Sequence, residues 1–264
     1  MRCRHLFLLL SLAAAVAQEP PGRAQFIEAS IAYHEGNFSA CITGYQKTIA
    51  LHHEVPFSKM MIARCLGLMG KTDEALDALD EAAEFEYGNA GVVRNDPEFA
   101  SLRQSPRFAE IITKMQTNLA PCAPRARRHQ FDFWLGEWDV TDANGKPSGS
   151  EQIERAEGGC LIKETFTGPN GGTGQSVSFY EKYTGYWRQV WMDPSGVAQD
   201  FYGEFTADGM VLRQVSYNGG QKTILEIVYA AQAGGTVNQS SRRSIDDGAT
   251  WTTTSTFVFT PKAR

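Results

Sequence analysis

The residues of this 264-residue chain that have chemistry to offer are few and widely spaced. Ser244, Asp246, Gly248, Thr250 and Trp251 follow the pattern S-x-D-x-G-x-T-W. In that spacing the carboxylate can accept turn N–H groups, the glycine permits positive φ and the tryptophan packs onto a sheet, so a structural turn outweighs catalysis. Glu164 sits in an alternating stretch. Pointed inward, it would have its pKa raised by burial and become a conceivable acid/base, although spacing fixes no partner for it and a hydrogen-bonded structural role carries more weight. Asp193, Asp200 and Glu204 alternate near strand ends and read as a solvated rim. Past the first few residues the histidines are His34, His52, His53 and His129, none on a strand-like stretch. That removes an axial haem ligand, an interior Ser-His-Asp triad and a three-histidine metal site. His52 and His53 adjoin at a helix end and read as solvated or as partners of the helix dipole. No catalytic residue, metal or cofactor is assigned.

A binding cavity is the more specific reading. Trp187, Gln189 and Trp191 share one face of a strand, a mixture of large apolar surface and one amide that suits a pocket better than a dry core. By parity Ser178 with Tyr180, Phe201 with Phe205, and Gln239 with Arg243 join them. With Trp138 and Glu164 these residues, Phe205 apart, form the candidate ligand-binding set. The alternative interior is the opposite face, Val177 with Phe179 or Ile224 with Val228, because one residue of register slip inverts every side chain.

The elements that must position these residues divide the chain. Arg2 and Arg4, the apolar stretch Leu6 to Val16 and Ala15-Val16-Ala17 read as a secretory signal over 1–17, with export to the periplasm or outside the cell as the consequence. Residues 18–118 carry a helical period. Within them Gly36 and Gly70 open similar segments 34 residues apart, each at a turn between helices, with small residues Cys41 and Ala75 and larger Tyr45 and Leu79 at equivalent places. Asp96 before Pro97 and Ser105 before Pro106 predict N-caps with proline at the first helical position. Residues 119–129 read as a Pro/Arg linker whose arginines are solvated. From 130 to 264 short alternating stretches are separated by turns such as Asn144-Gly145 and Asp208-Gly209. About ten strands are expected, near 136–142, 149–156, 160–167, 174–182, 185–193, 197–205, 209–217, 222–231, 235–243 and 250–260. All five Trp and 18 of the 25 Gly fall here. Closure into an up-and-down barrel removes the exposed edges. The fold class is therefore α+β in two domains, helical hairpins followed by an antiparallel barrel. The net charge of -5 excludes nucleic acid as the expected partner, and no stretch is long and apolar enough to span a membrane.

The helical period resembles the tetratricopeptide repeat, which implies a protein-contact surface or packing on the second domain. The segment FDFWLGEWDV (131–140), with Gly159 to Glu164, Phe179-Tyr180 and Trp187 to Asp193 in order, resembles the lipocalin-like DUF1579 family. That resemblance implies a calycin-type barrel holding a small apolar or amphipathic ligand, and no identified reaction. The S-x-D-x-G-x-T-W pattern is similar to the Asp box of sialidases, where it is a structural repeat. Cys122 precedes the barrel and Cys160 lies on its third strand, so a bond between them would staple the entry segment, worth about 3–4 kcal/mol in the chain-entropy model. Cys41 and Cys65 suit either a bond or buried free thiols.

Three functions follow: an exported, non-enzymatic binding protein; an interaction module with a filled structural barrel; and, weaker, a hydrolase or isomerase inside the barrel. A cavity below about 100 Å³ would favour the second, since typical pockets reach about 300 Å³. An inward Glu164 with a polar partner is the requirement of the third.

Overall fold

The computed structural model describes residues 20–120, 122 and 126–262. The expected secretory signal, 1–17, lies outside the described residues, as does Arg125 of the linker.

Among the described residues six α-helices come first: α1 (Arg23–His34), α2 (Phe38–Ala50), α3 (Val55–Leu68), α4 (Thr72–Glu84), α5 (Ala90–Asn95) and α6 (Pro106–Thr117). Their sequences explain them. In α4, Ala75, Leu76, Leu79, Ala82 and Ala83 fall on one face and are buried, while Asp73 and Glu74 occupy the first turn, where the helix dipole favours acid. Asn37 caps α2 by accepting the Ala40 N–H at 3.2 Å. Gly36 and Gly70 take nearly the same left-handed turn, φ 74° and 75°, between α1 and α2 and between α3 and α4. Cys41 and Ala75, at equivalent places after them, are both fully buried. The expected caps are realised in part. Asp96 accepts the Glu98 N–H at 3.0 Å, but it starts a short 3-10 turn, Pro97–Phe99, and Ser105 makes no side-chain cap ahead of α6. Phe99 and Leu102 of these turns close the helical core beside Ile111 and Met115.

Ten strands follow: β1 (Gly136–Asp142), β2 (Pro147–Ala156), β3 (Leu161–Thr167), β4 (Thr173–Glu181), β5 (Tyr186–Met192), β6 (Ala198–Thr206), β7 (Gly209–Asn218), β8 (Gln221–Ala231), β9 (Val237–Ser244) and β10 (Thr252–Pro261). Each pairs antiparallel with its neighbours in the chain, and β1 pairs with β10, so the sheet is a closed barrel. Closure answers the parity question. Ser176, Ser178, Tyr180, Trp187, Gln189 and Phe201 are all buried on the interior, and the opposite faces are not the lining. Ile224 and Val228 flank Glu226, a fully buried carboxylate that pairs with Arg213 and Arg242.

An up-and-down meander places its turns at alternate ends. At the end where β1 begins, the segment 126–134 enters as two 3-10 turns and fills the barrel base. Phe131 and Trp134 are fully buried and stacked at 4.9 Å, and Phe131 meets Trp187 and Tyr229 edge-on. The helices dock at the same end, on the β4–β5 turn. The Val55 N–H donates to the Tyr183 carbonyl at 2.8 Å. His52 stacks on Tyr186 with centroids 3.5 Å apart, and its Nδ1 lies 3.1 Å from the Thr184 carbonyl. His52 is thus a half-buried contact between the two units and not a solvated helix end. The linker arginines are corrected likewise. Arg128 makes a two-pronged pair with Glu86, at 2.7 and 2.6 Å, and Arg127 lies over the Phe85 ring at 3.8 Å.

Two cysteine pairs lie at disulfide distance. Cys41 with Cys65 joins α2 to α3, and Cys122 with Cys160 joins the entry segment to the start of β3.

Candidate functional site

The upper half of the barrel, away from the helices, holds a cavity of about 310 Å³. Alternation along the strands delivers its lining: Glu151 from β2, Glu164 and Phe166 from β3, Gln189 and Trp191 from β5, Phe201 from β6, Leu225, Ile227 and Tyr229 from β8 and Gln239 from β9. Two irregularities widen the set near the mouth. The register shifts between β1 and β2 around Ser148, and between β10 and β9 around Thr254, and both residues reach the cavity.

A chain of hydrogen bonds crosses the floor. The Gln239 amide donates to the Tyr229 hydroxyl at 3.1 Å. Tyr229 donates to Gln189 Oε1 at 3.2 Å, and Gln189 Nε2 donates to Ser178 Oγ at 3.1 Å. Buried polar groups need such partners, since an unmade bond in the interior costs about 1–3 kcal/mol. Burial, with the two nearby glutamates adding to it, raises the Tyr229 pKa well above 10, so its proton stays to serve the chain.

The two acids form the other polar feature. Glu164 faces Ser176 across β3 and β4, and the Ser176 hydroxyl donates to its carboxylate. Glu151 sits diagonally beside it, because Ile153 is the register partner of Glu164. Both side chains are buried, at 8% and 5% exposure. Desolvation pushes both pKa values up, Glu151 further because the Glu164 charge adds to it, while the Ser176 and Glu151 hydrogen bonds pull Glu164 back. The pair therefore keeps a proton between its two carboxyls at neutral pH. Beyond the proton the pair shares, no N–H or hydroxyl group is bonded to the buried Oε2 of Glu151.

No family model matches this chain, and no curated protein matches it.

Of the residues singled out by sequence, Glu164, Gln189, Trp191, Phe201 and Gln239 line the cavity, and Ser178 supports it from directly behind Gln189. Four others do not line it. Trp138 is buried at the base, where its Nε1 donates to the Trp134 carbonyl at 3.0 Å. Tyr180 and Trp187 belong to the filled end, and Trp187 Nε1 donates to Gln130 Oε1 at 3.1 Å. Arg243 is exposed near the end of β9. Phe205 is exposed as well and packs on Phe133. Among the residues missed by sequence are Glu151, Phe166, Tyr229 and Phe257. Glu151 alternates with Ile153, which is the signal for an inward face, but the flanking SEQIER run reads as surface.

The S-x-D-x-G-x-T-W turn is structural in its contacts. Asp246 accepts the Thr250 N–H at 2.9 Å and its hydroxyl at 2.5 Å, and the Gly248 N–H donates to Ser244 Oγ at 2.8 Å. These bonds hold the exposed Asp246 carboxyl down at about 2. Among the described residues no cluster of His, Cys, Asp and Glu could hold a metal ion, and no helix is long and apolar enough to cross a membrane.

Proposed function

We propose that the protein is an exported binding protein, non-enzymatic, whose barrel holds a small molecule that is partly apolar and partly polar. The cavity of about 310 Å³ carries this reading, since it reaches the roughly 300 Å³ at which typical ligand sites begin. Its walls combine aromatic faces with an amide and hydroxyl chain, which is what fixes orientation in such sites. The likeness of the 130–260 region to the lipocalin-like DUF1579 family supports the same reading. The signal-like start and the two cysteine pairs fit an oxidising compartment outside the cytoplasm. The tetratricopeptide-like turns at Gly36 and Gly70 support a contact role for the helices, part of which is spent on the barrel base. A protein partner on their remaining surface is the accompanying proposal.

One observation favours a second reading, a hydrolase or isomerase inside the barrel. Glu164 points inward with Ser176 and Glu151 beside it, the arrangement an acid/base would need.

Native mass spectrometry of the protein purified from its own export compartment tests the first reading. A small co-purified mass on the intact chain, lost on denaturation, is the expected result. A chain without bound mass that also fails to bind any of a panel of small amphipathic compounds would overturn it. Turnover of such a compound, abolished in Glu164→Gln, would move the conclusion to the second reading.

A further inference from the structure

We infer that the cavity is shaped for a small organic cation, an alkyl- or arylammonium whose charged head sits at Glu151 and Glu164 and whose apolar body lies against Phe166, Trp191 and Phe257. This rests on the binding reading above and names its ligand class.

The charge inventory of the lining is one-sided. Two carboxyl groups face the cavity, and none of its described lining residues is Lys, Arg or His. Buried acids in folded proteins are matched by a cation or a set of donors. Here Ser176 serves Glu164, while Glu151, which also lines the cavity, has a buried Oε2 with no N–H or hydroxyl donor beyond the proton the pair shares. An ammonium group brings up to three donors and one positive charge, which a carboxyl pair sharing one proton would balance. The aromatic walls suit the same guest. Phe166, the register partner of Glu151, and Trp191 both line the cavity, 6.0 Å apart with their planes tilted by 58°, and a cation is attracted to the face of such rings. An anionic guest would meet two acids with nothing to offset it. The volume, about 310 Å³, admits a molecule of roughly ten non-hydrogen atoms at about 30 Å³ each.

A pH dependence follows from the groups around the pair. From β4 they are faced by the neutral Ser176. From across the barrel they are faced by Tyr229 on β8, which burial keeps protonated. Arg243, at an inward register position on β9, is exposed and outside the lining. The pair's own ionisation therefore sets the charge available, and affinity for an ammonium rises as the pH rises from mild acid and the doubly protonated pair loses the first of its two protons.

The test compares three probes of one shape on the full-length protein, followed by tryptophan fluorescence and calorimetry: 2-phenylethylamine, 2-phenylethanol and 3-phenylpropanoate. The amine is expected to bind tighter than the alcohol by roughly tenfold or more near neutral pH. That advantage should shrink as the pH falls toward the ordinary carboxylate range, and the carboxylate should bind weakest. The double variant Glu151→Gln/Glu164→Gln should lose the advantage while still binding the alcohol, which also shows that it is folded. If the alcohol or the carboxylate matches the amine on the unaltered protein, or if the double variant keeps the preference, the inference falls and the cavity stands. If none of the three binds, the binding reading falls with it.

Discussion

A Cβ placed on Gly174 would lie 2.2 Å from the Trp191 indole. The two residues sit on adjacent strands, and Trp191 pairs with Ser176, two positions along from Gly174. The missing side chain on β4 is what lets the indole lie flat against the wall. The space that remains is the cavity, so one glycine sets how much of the upper barrel is open.

Gly174→Val is expected to swing the indole into the cavity. Overpacking of this kind costs about 1–3 kcal/mol. Urea denaturation should report that loss, and the tryptophan emission should shift. An unchanged spectrum with unchanged ligand capacity would contradict the packing described.

Tyr229→Phe removes the central hydroxyl of the chain from Gln239 to Ser178. It strands Gln189 Oε1 and the Gln239 amide in the interior, at a cost of about 1–3 kcal/mol. Gln239→Leu leaves fewer groups unmatched and should cost less. Equal losses for the two, measured by chemical denaturation, would show that the chain is not acting as a unit.

The acid pair makes stability depend on pH with a definite sign. Both glutamates are raised above the ordinary value of 4.5, so the folded state holds protons that the unfolded chain has released. The pair's contribution to stability is therefore fully present at and below that value and is lost as the pH rises from it through the range in which the folded pair ionises. The slope reaches at most about 1.4 kcal/mol per pH unit for each group. Glu151→Gln/Glu164→Gln should flatten this fall, gaining on the unaltered protein in mildly alkaline buffer and converging with it in mild acid. Parallel stability curves would rule the pair out as its source.

Glu86 holds a positive φ of 67°, is 8% exposed and receives both prongs of Arg128. Glu86→Ala leaves a half-buried guanidinium without its partner, a change worth about 3–5 kcal/mol for a buried pair and less where solvent reaches it. The docking of the β4–β5 turn should loosen as a result. Hydrogen exchange at Tyr183 to Gly185 is expected to speed up while exchange on β7 and β8 stays slow.

The strands were legible because each carries a period of two between turn residues, and most observed boundaries fall within two residues of the expected ones. Glycine at 36 and 70 was legible for a similar reason, since a left-handed turn limits the residues that fit. The interior face was not settled by any one strand. It became fixed only when ten strands closed on each other and Trp187, Gln189 and Trp191 had one side left to occupy. Glu151 was hidden because its pairing with Glu164 is diagonal and depends on the β2–β3 register. The arginines of the linker looked solvated because their partners, Glu86 and Phe85, come from a helix end some forty residues earlier.

The seam between β1 and β10 joins the first strand of the barrel to the last, Val140 opposite Phe259. The α-helices described above, by comparison, pack on one another within the first half of the chain and reach the barrel at the β4–β5 turn. Pairings between distant segments are slow because loop-closure entropy must be lost before any contact is gained. During synthesis the helices are therefore expected to form early, while the sheet keeps an unpaired edge until β10 emerges. The penultimate stretch of translation is then the interval in which this chain is most open to aggregation and most in need of a chaperone.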